Sequence, residues 1–539
     1  MAYLVAAVSA WLVFSALTAL RPGRRGVLAA LAYPVGWAAG ELPVQGIVLE
    51  AALVGILVWW GWPSAAWLGV LVAVLAGVVV LENLVLVAIQ FNSRRVVRHA
   101  LATSPRAPLV LPRPSQDRFG SWWRTALQIS VHPSDLQLVR NVRYGPLARH
   151  RLDVWRMSTT PSNAPVIFYV HGGAWTFGDK REQGRPMLHE FVRRGWVAVA
   201  CNYRLAPKDL WPAQIEDVTR TLAWIKKYVA TYGGDPSRVV VAGGSAGGHL
   251  AALLALSSED PTWRPHDVEG VRDWSVRGAI SLYGVLEMTG DETHWRGLGR
   301  GLRTLLEQRV VRRPFDEDPA HYEAMSPWHR LHENAPPFLV VQGGNDTLVD
   351  VQVARNFVQR FRRVCASRIY YVELPFTQHA FDVTASPRTS AVVRAAVVFA
   401  ESVVEPVPTL SDELLSSYQV PPTELHVELS SSRRVEATEA ARELGPYWVL
   451  TADNPFSRLA TSEENARRGD ELAGVLRDHG LLYRPTLAHD PDGRWPDERG
   501  FAIFGSTESF VRALARAFDQ FAFYFVDDVA VRVVTTQAV

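Results

Sequence analysis

Arg238–Leu256, RVVVAGGSAGGHLAALLAL, is the stretch on which the reading of this chain turns. A β-rich apolar run, Arg238 to Ala242, meets Gly243-Gly244-Ser245-Ala246-Gly247-Gly248 and continues as the helical pattern His249 to Leu256. A serine on so tight a strand-to-helix turn takes strained backbone angles, and only small neighbours, here Gly243 and Gly247, avoid a clash. The turn pushes the Ser245 hydroxyl out over the sheet edge. The helix behind it aims its N-terminal amides and positive dipole end at any anion formed there. GxSxG alone is a loose pattern that a glycine-rich turn also satisfies; the flanking strand and helix make Ser245 a candidate nucleophile.

Outward from this turn, short apolar runs alternate with helical patterns. The runs are Val166 to Val170, Trp196 to Cys201, Ala279 to Tyr283, Phe338 to Gln342 and Ile369 to Leu374, and between two of them Ile215, Val218, Leu222, Ile225 and Val229 recur on one helical face. Strands separated by helices predict an α/β fold, a doubly wound, mostly parallel sheet covered on both faces. Such a sheet displays its chemistry at the C-terminal ends of its strands. The first run leads into His171-Gly172-Gly173-Ala174-Trp175, where consecutive glycines let backbone N–H groups face a cavity. With the N–H of Ala246, those of Gly172 and Gly173 are candidate oxyanion donors.

A serine nucleophile needs a base, and the base an orienting carboxylate, in the chain order Ser, Asp or Glu, His for this fold. Asp346 stands in Gly343-Gly344-Asn345-Asp346 after one strand, and His379 in Pro375-Phe376-Thr377-Gln378-His379 after the next. Asp350 is the rival acid, but it stands where a helix starts and reads as a cap. His249 and His171 read as packing groups, the second bracing the glycine loop.

Composition bounds the rest. The chain has 539 residues, 48% hydrophobic and 20% charged, with a formal net charge of +2, which predicts several folded units and argues against nucleic acid as a partner. The two cysteines, Cys201 and Cys365, have no metal-ligand spacing, and no metal or organic cofactor is implied. They lean toward a reducing compartment. Residues 1–90 hold six charges, Arg21, Arg24, Arg25, Glu41, Glu50 and Glu82. A bilayer core takes roughly 20 apolar residues as helix, which predicts about three spans within 1–92: Ala2 to Leu20, Val44 to Trp62 and Ala65 to Gln90. Val27 to Gly40 is short, contains Pro34 and Gly36, and reads as a re-entrant or interfacial piece or as a fourth span. A cleaved signal peptide is the alternative for residues 1–20, disfavoured because no basic region precedes the apolar run. Arg21, Arg24 and Arg25 follow the first span and Arg94, Arg95 and Arg98 the last, so the positive-inside rule predicts a cytoplasmic catalytic domain on a multi-pass membrane protein. A connector over 93–137 is expected from Pro105, Pro108, Pro112 and Pro114, a catalytic domain over 138–405, a linker over 406–432 and a small α+β domain over 433–539. The segment His294 to Arg313 mixes arginines with leucines; it is expected to lie over the site on anionic headgroups, or else to be an arginine-rich helix on the outside of a soluble domain.

Residues 138–405 resemble an α/β-hydrolase of the hormone-sensitive-lipase-like and feruloyl-esterase-like carboxylesterase group. The resemblance rests on HGGAWTFGDK at 171–180, NYRLAPKDLWPAQIEDV at 202–218, GGDPSRVVVAGGSAGGHLA at 233–251, SPWHRLHENAPPFLVVQGGND at 326–346 and QHAF at 378–381. It implies Ser245 as nucleophile, His379 as base then acid, Asp346 as its orienter, and Gly172, Gly173 and Ala246 as oxyanion donors. Many lipase-like members carry an acidic residue before the serine, where this chain has Gly244. A multi-span region ahead of such a domain is similar to membrane-anchored esterases of actinobacterial lipid metabolism, which implies a bacterial cell membrane and a lipid-derived or other hydrophobic ester. An arylformamidase-like amide hydrolase and a non-catalytic membrane scaffold are the alternatives. The C-terminal stretch, with TADNPFS at 451–457, EEN at 463–465 and RWPDERGFAIFG at 494–505, resembles a small bacterial domain family of unknown function and offers no mechanism: Asp497 and Glu498 are the one candidate acid–base pair, and as exposed loop carboxylates they read as solvated.

Overall fold

In a computed structural model, the described residues are 2–22, 26–63, 65–104, 109–111, 135–258, 260–290, 299–365, 367–404, 424–430, 433–454, 459–478, 480–490, 496–518 and 520–535. Most of the connector expected over 93–137 and most of the linker expected over 406–432 lie outside them. The chain divides into two compact units, Met1–Val97 with Phe119–Val404, and Arg98–Arg118 with Glu405–Val539.

The first unit opens with α1 (Ala2–Leu20), α2 (Gly26–Glu41), α3 (Pro43–Trp60) and α4 (Ala66–Ala102), the last five residues of which, Arg98–Ala102, fall in the second unit. Among the described residues three helices are long and apolar enough to cross a membrane, Tyr3–Leu20, Pro43–Trp60 and Ala66–Ala102. The last outruns the expected span by twelve residues (102 − 90), because Ser93–Ala102 contains no proline and Val97 and Leu101 keep a buried helical face. Val5 and Ala6 of α1 pack with Leu57 of α3 and with Leu68 and Val72 of α4. At the opposite end Ala16 and Ala19 meet Leu86. Thus α1 and α4 run parallel, with α3 antiparallel between their ends. Ser9 Oγ donates to Glu50 Oε1 at 2.7 Å inside the bundle. The 16 residues of α2, with Pro34 among them, reach about 24 Å, short of a hydrocarbon core of roughly 30 Å. Gly36 allows the close approach of α2 to α1, since a Cβ there would stand 3.2 Å from the Thr18 carbonyl oxygen.

An eight-stranded sheet follows: β1 (Leu136–Arg143), β2 (Arg151–Met157), β3 (Ala164–Val170), β4 (Val197–Cys201), β5 (Gly234–Gly244), β6 (Gly278–Leu282), β7 (Phe338–Gly343) and β8 (Ile369–Leu374), in the order β1-β2-β4-β3-β5-β6-β7-β8. From β4 through β8 every pairing is parallel, while β1 and β2 join antiparallel at one edge. The six parallel strands are the apolar runs of the sequence. Their near-continuous burial reflects helices on both faces, namely α5 (Arg185–Arg193), α6 (Ala213–Tyr228), α7 (Ala246–Ser257), α8 (Val351–Val364) and α9 (Pro387–Val404). All twelve residues of α7 are buried.

Part of the apolar side of the arginine-rich segment packs inward on its own domain. Residues 294–298 lie outside the described residues, but Leu306, Val310 and Val311 join the core of the α/β domain. Arg303 pairs with Glu307 and Asp316, and Arg313 with Asp318. Neighbouring carboxylates answer Arg303 and Arg313.

The second unit has a seven-stranded antiparallel sheet of β9 (Glu424–Ser430), β10 (Arg433–Glu436), β11 (Tyr447–Thr451), β12 (Leu482–His489), β13 (Glu498–Phe504), β14 (Ala522–Val526) and β15 (Val531–Thr535), ordered β10-β9-β12-β13-β11-β14-β15. β9 occupies residues expected as linker; its apolar alternation, Leu425 and Val427 inward, was hidden by the flanking proline and serine content. Neighbouring Val449 and Leu450 point to opposite faces. One face carries α10 (Ala437–Leu444), the other α11 (Ser462–Asp478) and α12 (Glu508–Ala517), so each face closes its own core.

Candidate active site

The turn after β5 places Ser245 at φ 55°, ψ −123°, a left-sided backbone that a non-glycine residue adopts only under constraint. A Cβ at Gly247 would stand 2.1 Å from the Val170 carbonyl oxygen, and one at Gly243 2.3 Å from that of Gly247. Any side chain at either position would open the turn. Ser245 N–H donates to the Leu282 carbonyl at 2.9 Å, fixing the turn against β6.

The loops after β7 and β8 bring the other two groups to this serine. His379 Nε2 lies 2.8 Å from Ser245 Oγ, and His379 Nδ1 lies 2.8 Å from Asp346 Oδ2. An ionised carboxylate only accepts, so Nδ1 carries the ring proton and Nε2 is left to accept from the serine hydroxyl. Asp346 is held from three sides: Oδ1 accepts from the N–H groups of Leu348 and Val349 at 2.9 and 2.8 Å, and Oδ2 from Gln342 Nε2 at 2.9 Å. Gln378 Oε1 accepts from Thr347 N–H at 3.0 Å and ties the acid loop to the base loop. Asp350 caps α8 through Gln352 N–H at 2.8 Å, the cap its position predicts.

Of the expected oxyanion donors, Gly173 and Ala246 point N–H groups that meet no acceptor among the described residues, whereas Gly172 N–H donates to Gln183 Oε1 at 2.8 Å. Gln183 therefore has to yield before Gly172 can serve an anion. His171 braces this loop. Its ring stacks on Tyr203 at 4.3 Å, its Nδ1 lies 2.7 Å from the Gly172 carbonyl oxygen, and burial pushes its pKa down to about 4, so it stays neutral. His249 is likewise buried and held down at about 4 by desolvation. Its Nδ1 accepts from Trp175 Nε1 at 3.1 Å, leaving Nε2–H to donate to the Met325 carbonyl at 2.8 Å.

Gly244, the departure from the lipase-like pattern, has a spatial explanation. A Cβ at this position would lie 2.5 Å from the Tyr283 hydroxyl. Tyr283 occupies the space, bonds the buried Asp382 carboxylate, and packs its ring edge-on to His379 at 4.6 Å. A carboxylate thus stands near the base without coming from the nucleophile turn. Nothing in the sequence points to this arrangement, because Tyr283 and Asp382 are 99 residues apart.

Among the described residues no group of three or more His, Cys, Asp or Glu is placed to hold a metal ion. Cys201 and Cys365 are buried and free, and burial raises the Cys201 thiol to about 12. In the C-terminal unit, Asp497 pairs with His489 at 2.6 Å on the surface, while Glu498 accepts from Asn454 Nδ2 at 3.0 Å. The two carboxylates therefore have separate partners. Asn454 also exchanges hydrogen bonds with Asn465, and Asp453 accepts from Arg499 N–H, so the three stretches singled out in the sequence converge on one polar cluster.

Residues 152–361 match the family model BD-FAE, and residues 450–523 match a family described as a protein of unknown function, DUF3293. Three Mycobacterium tuberculosis proteins are similar to the chain. The "Probable carboxylic ester hydrolase LipM" is 42% identical over 253 residues, 46% of this chain and 58% of that protein. Esterase LipQ is 39% identical over 47% of this chain and 60% of its own length, and esterase LipC 39% identical over 49% and 65%. The chain thus spans about six tenths of the length of these relatives.

Proposed function

We propose that this chain is a membrane-anchored serine carboxylesterase acting on a hydrophobic acyl ester. The observation that carries the reading is the unbroken relay from Ser245 Oγ through His379 to Asp346, with both links at 2.8 Å. In this reading Ser245 Oγ attacks the acyl carbonyl while His379 Nε2 takes its proton. The oxyanion sits on the N–H groups of Ala246 and Gly173, joined by Gly172 once Gln183 gives way. Each such donor is worth about 3 kcal/mol in the transition state. As the ester C–O bond breaks, His379 returns the proton to the leaving alcohol. Water then attacks the acyl-enzyme, His379 takes a proton from it, and the acid leaves as Ser245 recovers its hydrogen. The relatives' printed names favour an ester over an amide, and exposed Phe177, Phe376 and Val383 on the loops around the serine favour an apolar acyl part.

Matched ester and anilide substrates test the bond type. Turnover of acyl esters is expected, rising with chain length, with the anilides slower by orders of magnitude; faster anilide cleavage would move the assignment to an amidase.

The catalytic domain belongs in the cytoplasm on this reading, beneath a three-span bundle whose α2 does not cross. Arg21 and the basic residues Arg94, Arg95 and Arg98 then lie on the same side. A reporter fused after Ser104 is expected to be silent as alkaline phosphatase and active as a cytoplasmic fusion; the reverse pattern would overturn the topology.

A further inference from the structure

The short helix α2 is built against the catalytic loops. Trp37 Nε1 donates to the carbonyl of Ala380 at 3.0 Å, the residue after the candidate base. One helical turn earlier, the Tyr33 ring stands edge-on to the His379 imidazole at 6.1 Å between centroids. One turn later, Glu41 pairs with Arg388 and accepts from Ser386 Oγ at 3.1 Å, all three buried. Residues 33, 37 and 41 thus form one i, i+4 stripe on the base loop and the start of α9. The acid loop is held by the neighbouring helix. Asn345, next to Asp346, donates through Nδ2 to the carbonyls of Ala19 and Leu20 at 2.8 and 3.1 Å. These are end-of-helix carbonyls that α1 itself leaves unsatisfied. The C-terminal end of α2 is closed in turn by Gln90 of α4, whose Nε2 donates to the Gly40 carbonyl at 2.7 Å.

We propose that α2 is a working wall of the catalytic site, and that Trp37, with the Glu41–Arg388 pair behind it, is a positioning residue for His379. The inference rests on the esterase reading. Ala380 adopts φ 55°, so the backbone following the base is held in a conformation that its own sequence does not favour. The indole bond fastens that carbonyl, and the Tyr33 ring closes one side of the imidazole while Tyr283 stands at another. The membrane region therefore supplies part of the geometry that sets the His379–Ser245 distance, and the hydrolase domain is complete only with α2 docked.

The test uses the full-length protein in detergent micelles, with a short-chain nitrophenyl ester for turnover and a fluorophosphonate for the labelling rate of Ser245. Trp37→Phe keeps the packing and removes the donor. It is expected to lower kcat and the labelling rate together by about 10- to 100-fold, as a sub-ångström displacement of a base does, with KM within about twofold. Trp60→Phe, the same change at the far end of α3, is expected to leave both unchanged. Arg388→Met leaves Glu41 buried without its partner and is expected to depress kcat similarly. Adding Glu41→Gln removes the orphaned charge and is expected to restore most of the loss, because replacing both members of a buried pair is far milder than removing one. Wild-type kcat and labelling in both Trp37→Phe and Arg388→Met would overturn the positioning role. A wild-type protein that neither turns over the ester nor takes the label would instead sink the esterase reading, and this proposal with it.

Discussion

Ser245→Ala is expected to reduce ester turnover by roughly 10⁴- to 10⁶-fold, to the level that binding and the oxyanion donors alone support. In free energy that is about 5–8 kcal/mol of lost transition-state stabilisation. The fold should not notice. Alanine keeps the Cβ and accepts the same constrained backbone, and the Ser245 N–H bond to Leu282 does not involve the hydroxyl. Turnover of an acyl ester and thermal unfolding of the same detergent-solubilised sample therefore have to separate cleanly. Activity within tenfold of wild type would remove Ser245 from the mechanism. His379→Ala should match it within an order of magnitude, since the two act as a unit.

Asp346→Asn carries the second largest expectation, a loss of about 10⁴ in kcat, by the same tautomer argument that governs an orienting carboxylate in other serine hydrolases. The amide can still accept from Leu348 and Val349, so the loop stays in place. Its NH₂ group, however, then faces both His379 Nδ1 and Gln342 Nε2, where the carboxylate accepted from each. The imidazole is driven to carry its proton on Nε2, where Ser245 needs a base. Asp350→Asn, four residues on, preserves the cap of α8, since Asn and Asp cap comparably, and is expected to leave kcat within twofold. Steady-state kinetics on the pair decide it: a severe loss in Asp350→Asn with Asp346→Asn spared would move the acid.

The serine turn was legible because its requirement is local. Gly243 and Gly247 are needed by backbone atoms within a few residues or on the adjacent strand, and a steric demand of that kind leaves a short sequence signature. The six parallel strands were legible for a related reason: burial on both faces writes an uninterrupted apolar run. The edge strand β1 was not, since it exposes every second residue or more and reads as polar chain. Tyr283 and Asp382 were invisible because their partnership depends on two loops meeting in space. The segment around Leu306 shows the opposite limit. An apolar stripe among arginines has the same periodicity whether it lies on lipid or on its own domain, and only the carboxylates Glu307, Asp316 and Asp318, brought near by the fold, tell them apart. For α2, length and Pro34 set it apart from the three long apolar helices, but composition carries no record of which loops such a helix will touch.

The pairing of Glu41 with Arg388 also has a consequence for biogenesis. The two residues are 347 positions apart, so at ordinary synthesis rates of 5–20 residues per second the carboxylate emerges roughly 20–70 seconds before its partner exists. Throughout that interval α2 has α1 to pack on, through Gly36, but the carboxylate has yet to meet the guanidinium that faces it in the folded protein. The pair is therefore one of the latest and most non-local contacts of the chain to close. A chain stalled before Arg388 lacks both this partner of Glu41 and the last helix of the sheet's cover.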